Sequence, residues 1–88
     1  MNKYLVEFLG TLFLVFVVLA TGNYLAIGAA LGVAVLLGGP ISGGAFNPAV
    51  AIAMFAYGKL GSNDLVPYIL AEVVGGLVAF EMVKIAKL

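Results

Sequence analysis

Ser42-Gly43-Gly44-Ala45-Phe46-Asn47-Pro48-Ala49-Val50 is the stretch on which the reading of this chain turns. Asparagine before proline is the pair expected where the first residue caps a helix and the second, lacking an N–H, fills its first position. The apolar run that follows, Pro48 to Tyr57, is ten residues long. As a helix it would reach about 15 Å, half of a hydrocarbon core of about 30 Å, so it predicts a re-entrant half-helix and not a crossing. The glycine-rich approach, Ile41 to Phe46, would then lie at membrane depth. Irregular backbone is tolerated there only where protein buries it or where it borders a polar cavity, and that requirement is the first pointer to function.

The rest of the composition makes membrane depth the right frame. Of the 88 residues 65% are hydrophobic and 9% charged, with 4 basic and 4 acidic side chains cancelling, and the mean hydropathy is +1.26. A soluble domain carries about 25% charged residues, so a soluble enzyme domain is excluded. No charged side chain occurs between Glu7 and Lys59. One helix across that interval would reach about 76 Å, so the chain must turn back. Lys3 and the run to Ala20 imitate a signal peptide, but everything downstream is equally apolar. Cysteine and histidine are both absent, which removes disulfides, thiol catalysis and thiolate metal sites. No cofactor is expected, and without a Lys/Arg cluster neither is a nucleic-acid partner.

Breakers at Thr21-Gly22-Asn23, Gly38-Gly39-Pro40, Ser42-Gly43-Gly44 and Gly58 to Asp64 divide the chain. They predict a helix over about 4–21, with Tyr4 where an interfacial aromatic would sit. A second helix covers about 24–39, short for a span unless it continues through the glycines to Pro40. A re-entrant loop and half-helix follow over 41–57, and then a helix over about 66–86 opened by Pro67. The fold class is an all-α membrane protein, three transmembrane helices plus one re-entrant half-helix in a single unit, 1–88. The valine-rich runs lack the alternating polarity of barrel strands. Three spans bury little polar backbone alone, which predicts association.

With those elements laid out, the chain resembles the aquaporin and glycerol-facilitator family, specifically the first of its two internal repeats, over nearly its whole length. Glu7-Phe8-Leu9-Gly10-Thr11 resembles the opening of the family's first helix, Asn47-Pro48-Ala49 its signature triplet, and Pro67-Tyr68-Ile69-Leu70-Ala71-Glu72-Val73-Val74-Gly75-Gly76 its third helix. The resemblance implies half of an aquaporin-like fold. The family's pores join two inverted repeats, whose half-helices meet end to end, so a single repeat implies completion by antiparallel dimerisation. Lys3 and Lys59 fall on one side of the three-span layout and Lys84 and Lys87 on the other, so the positive-inside rule favours neither orientation. Family members assemble as tetramers of pores, which would mean eight chains here.

The resemblance also implies roles. Asn47 caps the half-helix and donates its amide into the pore beside Pro48 and Ala49. The positive end of that helix, about half an elementary charge, faces its twin and repels cations. The family's outer constriction maps onto Ile27, Val35, Gly44 and Val50. Val50 stands where the second repeat carries an arginine, which leaves the mouth apolar and weakens recognition of hydroxyl groups. Ala45 replaces a common histidine and Ala51 a frequent threonine. Glu7 is implied to brace the loop. Glu72 stands where the family usually has glutamine, and because a carboxyl at depth is costly three readings stay open: protonated or loop-paired support, a lipid-facing accident, or a proton relay. Gly28 and Gly32, at GxxxG spacing, join Gly10, Gly75 and Gly76 as close-packing positions.

The expected function is a passive channel for water and small neutral solutes, formed in lipid by an antiparallel homodimer with dual topology, and no enzyme activity. The alternative is a non-conducting membrane assembly subunit or a modifier of a full-length channel. Val50 and the missing second motif favour that alternative, whereas Glu7, Ser42-Gly43-Gly44 and Asn47-Pro48-Ala49 oppose it.

Overall fold

Asparagine side chains start three of the four helices in this computed structural model, which describes all 88 residues. Asn2 Oδ1 accepts the N–H of Tyr4 and Leu5 ahead of α1 (Lys3–Thr21), and Asn23 Oδ1 accepts those of Leu25 and Ala26 ahead of α2 (Tyr24–Ser42). Asn47 does the same for α3 (Pro48–Ala56), while α4 (Ser62–Ala86) follows Gly61 with no side-chain cap. Each cap satisfies N–H groups that a helix start leaves without partners. α1 and α2 stop at Gly22 (φ 55°) and Gly43 (φ 89°), the left-handed conformation that glycine adopts without a Cβ clash.

Two prolines lie inside helices where the sequence suggested boundaries. α2 runs past 39 and through Pro40 to Ser42. Proline removes the bond from its own nitrogen to the carbonyl four residues back and crowds that carbonyl, yet α2 continues two residues beyond it and stops at Gly43. α4 begins at Ser62 and not near 66, with Pro67 one turn inside. Its first turn is held against α1 by Asp64, whose carboxylate accepts from Lys3 Nζ at 2.7 Å and from the Tyr4 hydroxyl at 2.6 Å.

α1 lies in the middle. It packs against α2 on one side and α4 on the other, α3 packs on α4, and α2 and α3 do not pack together. The helices therefore form an open arc, α2–α1–α4–α3, whose two ends are bridged only by the Gly43–Asn47 loop. α1 and α4 run parallel, tied at their first turns by Lys3 and Asp64, so Lys84 and Lys87 end up at the opposite end of the molecule.

The α1–α2 seam is built from Ala30, Ala34 and Gly38, all buried at four-residue spacing. Gly28 and Gly32 do not contribute: both are exposed, with nothing within 4 Å of where a Cβ would be. Two positions along a helix amount to about 200° of rotation, which puts this glycine pair on the side away from α1. The α1–α4 seam does use glycine. A Cβ on Gly75 would lie 2.6 Å from the Phe8 carbonyl oxygen, and one on Gly76 would meet Val15 at 3.7 Å.

Only 14 of the 88 residues are buried, so most of the apolar side-chain surface faces outward, far beyond the patches that water tolerates on a monomer. α1 and α2 are each long and apolar enough to cross a membrane. α4 is longer, 25 residues, and carries Asp64, Glu72 and Glu81.

Candidate functional site

The bridging loop has almost no regular backbone pairing of its own. Gly43, Gly44 and Phe46 all have positive φ, of 89°, 70° and 52°. For phenylalanine this conformation costs about 1–3 kcal/mol and persists only where the surroundings enforce it. They do so through the ring, which is 2% exposed and lies between Gly10 of α1 and Gly38 of α2. A Cβ on Gly10 would overlap the ring, and one on Gly38 would come within 2.9 Å of it. The neighbouring Ala45 turns the other way, into a cluster with Ala51 and Tyr68. Adjacent loop residues thus anchor in the two halves of the arc.

Glu7 closes the loop's hydrogen bonding. It is fully buried; Oε1 accepts the Phe46 N–H at 2.8 Å, and Oε2 accepts the Ser42 hydroxyl at 2.6 Å and the Ala45 N–H at 3.2 Å. From α4 the buried Tyr68 donates its hydroxyl to the Ser42 carbonyl at 2.6 Å, and its ring meets Tyr4 edge-on at 5.9 Å.

Asn47 follows in extended backbone, exposed, with Oδ1 accepting the Ala49 N–H at 2.7 Å. The cap therefore engages the oxygen and leaves the amide NH2 as the outward donor. α3 has nine residues, about 14 Å, and its positive N-terminal end lies at the level of Glu7. Ala49 and Val50 are exposed, and Val50 is 42% accessible in a hollow of about 570 Å³ that Met54 and Tyr57 also line. Gly44 lies against Val35, whose side chain would be 3.5 Å from a Cβ there. Ile27 is half-buried on the first turn of α2, at the far end of that helix from Gly44, so the four positions expected at a constriction do not come together within the chain.

Glu72 is not lipid-facing. It is 1% exposed and lies beside Glu7 near the Asn47 backbone N–H, yet neither of its oxygens has a hydrogen-bond partner. Thr11 Oγ1 is likewise buried without one. Sequence reasoning missed Phe46, Ser42 and Tyr68 as parts of the site. Tyr68 had a usable signal, since it precedes Glu72 by four residues and so shares its helix face.

Together these parts form a buried, hydrogen-bonded support that holds one donor amide and one helix N-terminus at the edge of an open apolar surface. Such a device suits a neutral molecule with an acceptor oxygen and disfavours cations. The chain matches the major intrinsic protein family over residues 1–88. It is 47% identical to glycerol uptake facilitator protein-like 6 of Lactiplantibacillus plantarum, over 96% of this chain and 43% of that protein. It is 39% identical to aquaporin Z of Brucella melitensis, over 90% of this chain and 41% of that protein. The chain thus spans less than half the length of these relatives, and no solved structure matches it significantly. By the full-length family match and these identities, the chain belongs to the major intrinsic protein family.

Proposed function

We propose that the chain is one half of a passive transmembrane pore for water and small uncharged solutes, with α1, α2 and α4 as spans and α3 as the half-span. A second copy, inserted the other way up, supplies the other half. The open arc is the observation that carries this reading: α2 and α3 do not pack together, and Asn47, Ala49 and Val50, at the start of α3, are exposed. Members of the family are channels and facilitators, not enzymes, and the two relatives are named for glycerol uptake and as an aquaporin.

In the completed pore the Asn47 NH2 and the N-terminus of α3 face a solute oxygen, and their twins do so from the other copy. Water is held by its oxygen with its hydrogens turned away, while a cation meets two positive helix ends. Pro48 fixes the first turn and Ala49 keeps the wall narrow in bulk but wide in bore. Val35, Gly44 and Val50 line an uncharged mouth, and Ile27 joins the lining at the far end of α2. Transport of water exceeds that of polyols, because no side chain at the mouth donates to a hydroxyl. Four such dimers, eight chains, form the larger assembly.

The test is osmotic swelling of vesicles containing only the purified chain. Fast swelling that falls about tenfold or more with Val50→Trp, and acquires cation leak with Asn47→Asp, is the expected result. Permeability no higher than bare lipid, from protein that is folded and inserted, would overturn this reading in favour of a non-conducting assembly subunit, the reading that the apolar Val50 favours.

A further inference from the structure

Two buried carboxyl side chains meet behind the half-helix loop with no cation between them. Glu7 of α1 and Glu72 of α4 are 0% and 1% exposed and neighbour each other across the helix seam. Their surroundings are unequal. Glu7 receives three donors, from Ser42, Ala45 and Phe46, whereas both oxygens of Glu72 have none.

The groups around Glu72 include no cationic side chain, only the partial positive charge of the α3 N-terminus at the Asn47 N–H. α1 contributes Glu7, the loop contributes the Asn47 backbone N–H, and α4 itself contributes Tyr68, whose hydroxyl is committed to Ser42. α3 carries no titratable side chain, and α2 carries only Tyr24, at its far end from the loop. Lys3 is paired with Asp64, and Lys59, Lys84 and Lys87 are exposed near the ends of the molecule. An ionised Glu72 would be a desolvated charge beside a like charge, the costliest arrangement a buried group can adopt. A carboxylate offers about four acceptor sites, and three of those on Glu7 are taken.

We infer that Glu72 holds a proton and donates it to the remaining acceptor site of Glu7, so that the pair is a buried proton-binding site carrying one negative charge. The charge stays on Glu7, where three loop donors use it. The fourth donor fastens α4 to the same carboxylate, which makes Glu72 a positioning residue for the half-helix. This inference does not depend on conduction: a chain that passes no solute would hold the proton just as well.

Infrared spectroscopy of the purified full chain in lipid reads the proton directly. At neutral pH the exposed and ion-paired carboxyls are ionised, so a carbonyl band of protonated carboxylic acid, shifted by deuterium, is expected from Glu72. It should vanish in Glu72→Gln, whose amide can donate the same bond and whose thermal unfolding should match the parent. It should also vanish at alkaline pH together with a fall in the unfolding temperature that Glu72→Gln does not show. Absence of the band in the parent chain, or its survival in Glu72→Gln, would overturn the assignment. So would an unfolding temperature that rises with sodium or lithium in a parent lacking the band, since a bound cation would then occupy the site. The parent spectrum alone decides the first point, whatever the variant does.

Discussion

Glu7 answers three donors that Ser42, Ala45 and Phe46 cannot satisfy within the loop, because left-handed residues interrupt any regular ladder. Glu7→Gln preserves shape but removes the charge and turns one oxygen into a donor that faces donors. An unfolding measurement in micelles should show a loss of about 2–4 kcal/mol, the range for breaking one partner of a buried charged network. Phe46→Ala acts differently. It empties the space between Gly10 and Gly38, and the same measurement should lose about 3–5 kcal/mol, with no offset from the backbone because alanine bears the positive φ no better.

Helix against helix, the decisive quantity is how closely two backbones approach. Gly75→Ala places a methyl 2.6 Å from the Phe8 carbonyl oxygen, so α1 and α4 must separate, at about 1–3 kcal/mol. Gly28→Ala meets nothing within the chain and should gain up to about 1 kcal/mol of helix propensity in the monomer. If Gly28 and Gly32 pack on a second copy, the same substitution should instead lower the dimer fraction measured against detergent dilution. The first turns of α1 and α4 are coupled electrostatically. Hydrogen bonds from Lys3 and then from Tyr4 hold the Asp64 carboxyl below its ordinary value of 3.8. A lowered folded-state value means that the coupling stabilises the fold fully above the ordinary carboxylate range and is lost as pH falls through the lowered one. The unfolding temperature should therefore drop on acidification below about pH 4, and Asp64→Asn should be less stable at neutral pH and lose that part of the pH dependence.

For the molecule as a whole, charge placement bears on orientation. Lys3 is bridged to Asp64 and Lys59 is a few residues from it, while Lys84 and Lys87 stand at the other end of α4. Two lysines at each end are the even split on which the proposed insertion in both orientations rests. The chain has no native cysteine, so Asn23→Cys in the α1–α2 turn can be labelled against no background. Labelling from both faces of sealed vesicles in comparable amounts is expected. Labelling from one face only would remove the antiparallel homodimer and require a separate partner for the second half.

Local features were legible in the sequence because their physics is local. An asparagine before a helix, a glycine after it, a ten-residue apolar run after Asn47-Pro48 and the absence of charge between Glu7 and Lys59 each act within a few residues or through composition alone. Pro40 and Pro67 were misleading for a related reason: a proline weakens one bond, and whether a helix survives that loss depends on what holds the turn, here the Gly43 stop and the contact of Asp64 with Lys3 and Tyr4. Tertiary structure alone decided which glycines pack. Gly10, Gly38 and Gly75 meet side chains or backbone distant in sequence, whereas Gly28 and Gly32, with the better-known spacing, face outward because rotation about α2 was set by Ala30, Ala34 and Gly38. It alone also put the Phe46 ring between two helices and brought Glu72 beside Glu7. The Phe46–Gly10 and Glu72–Glu7 contacts join residues tens of positions apart, and no periodicity along the chain encodes such a distance.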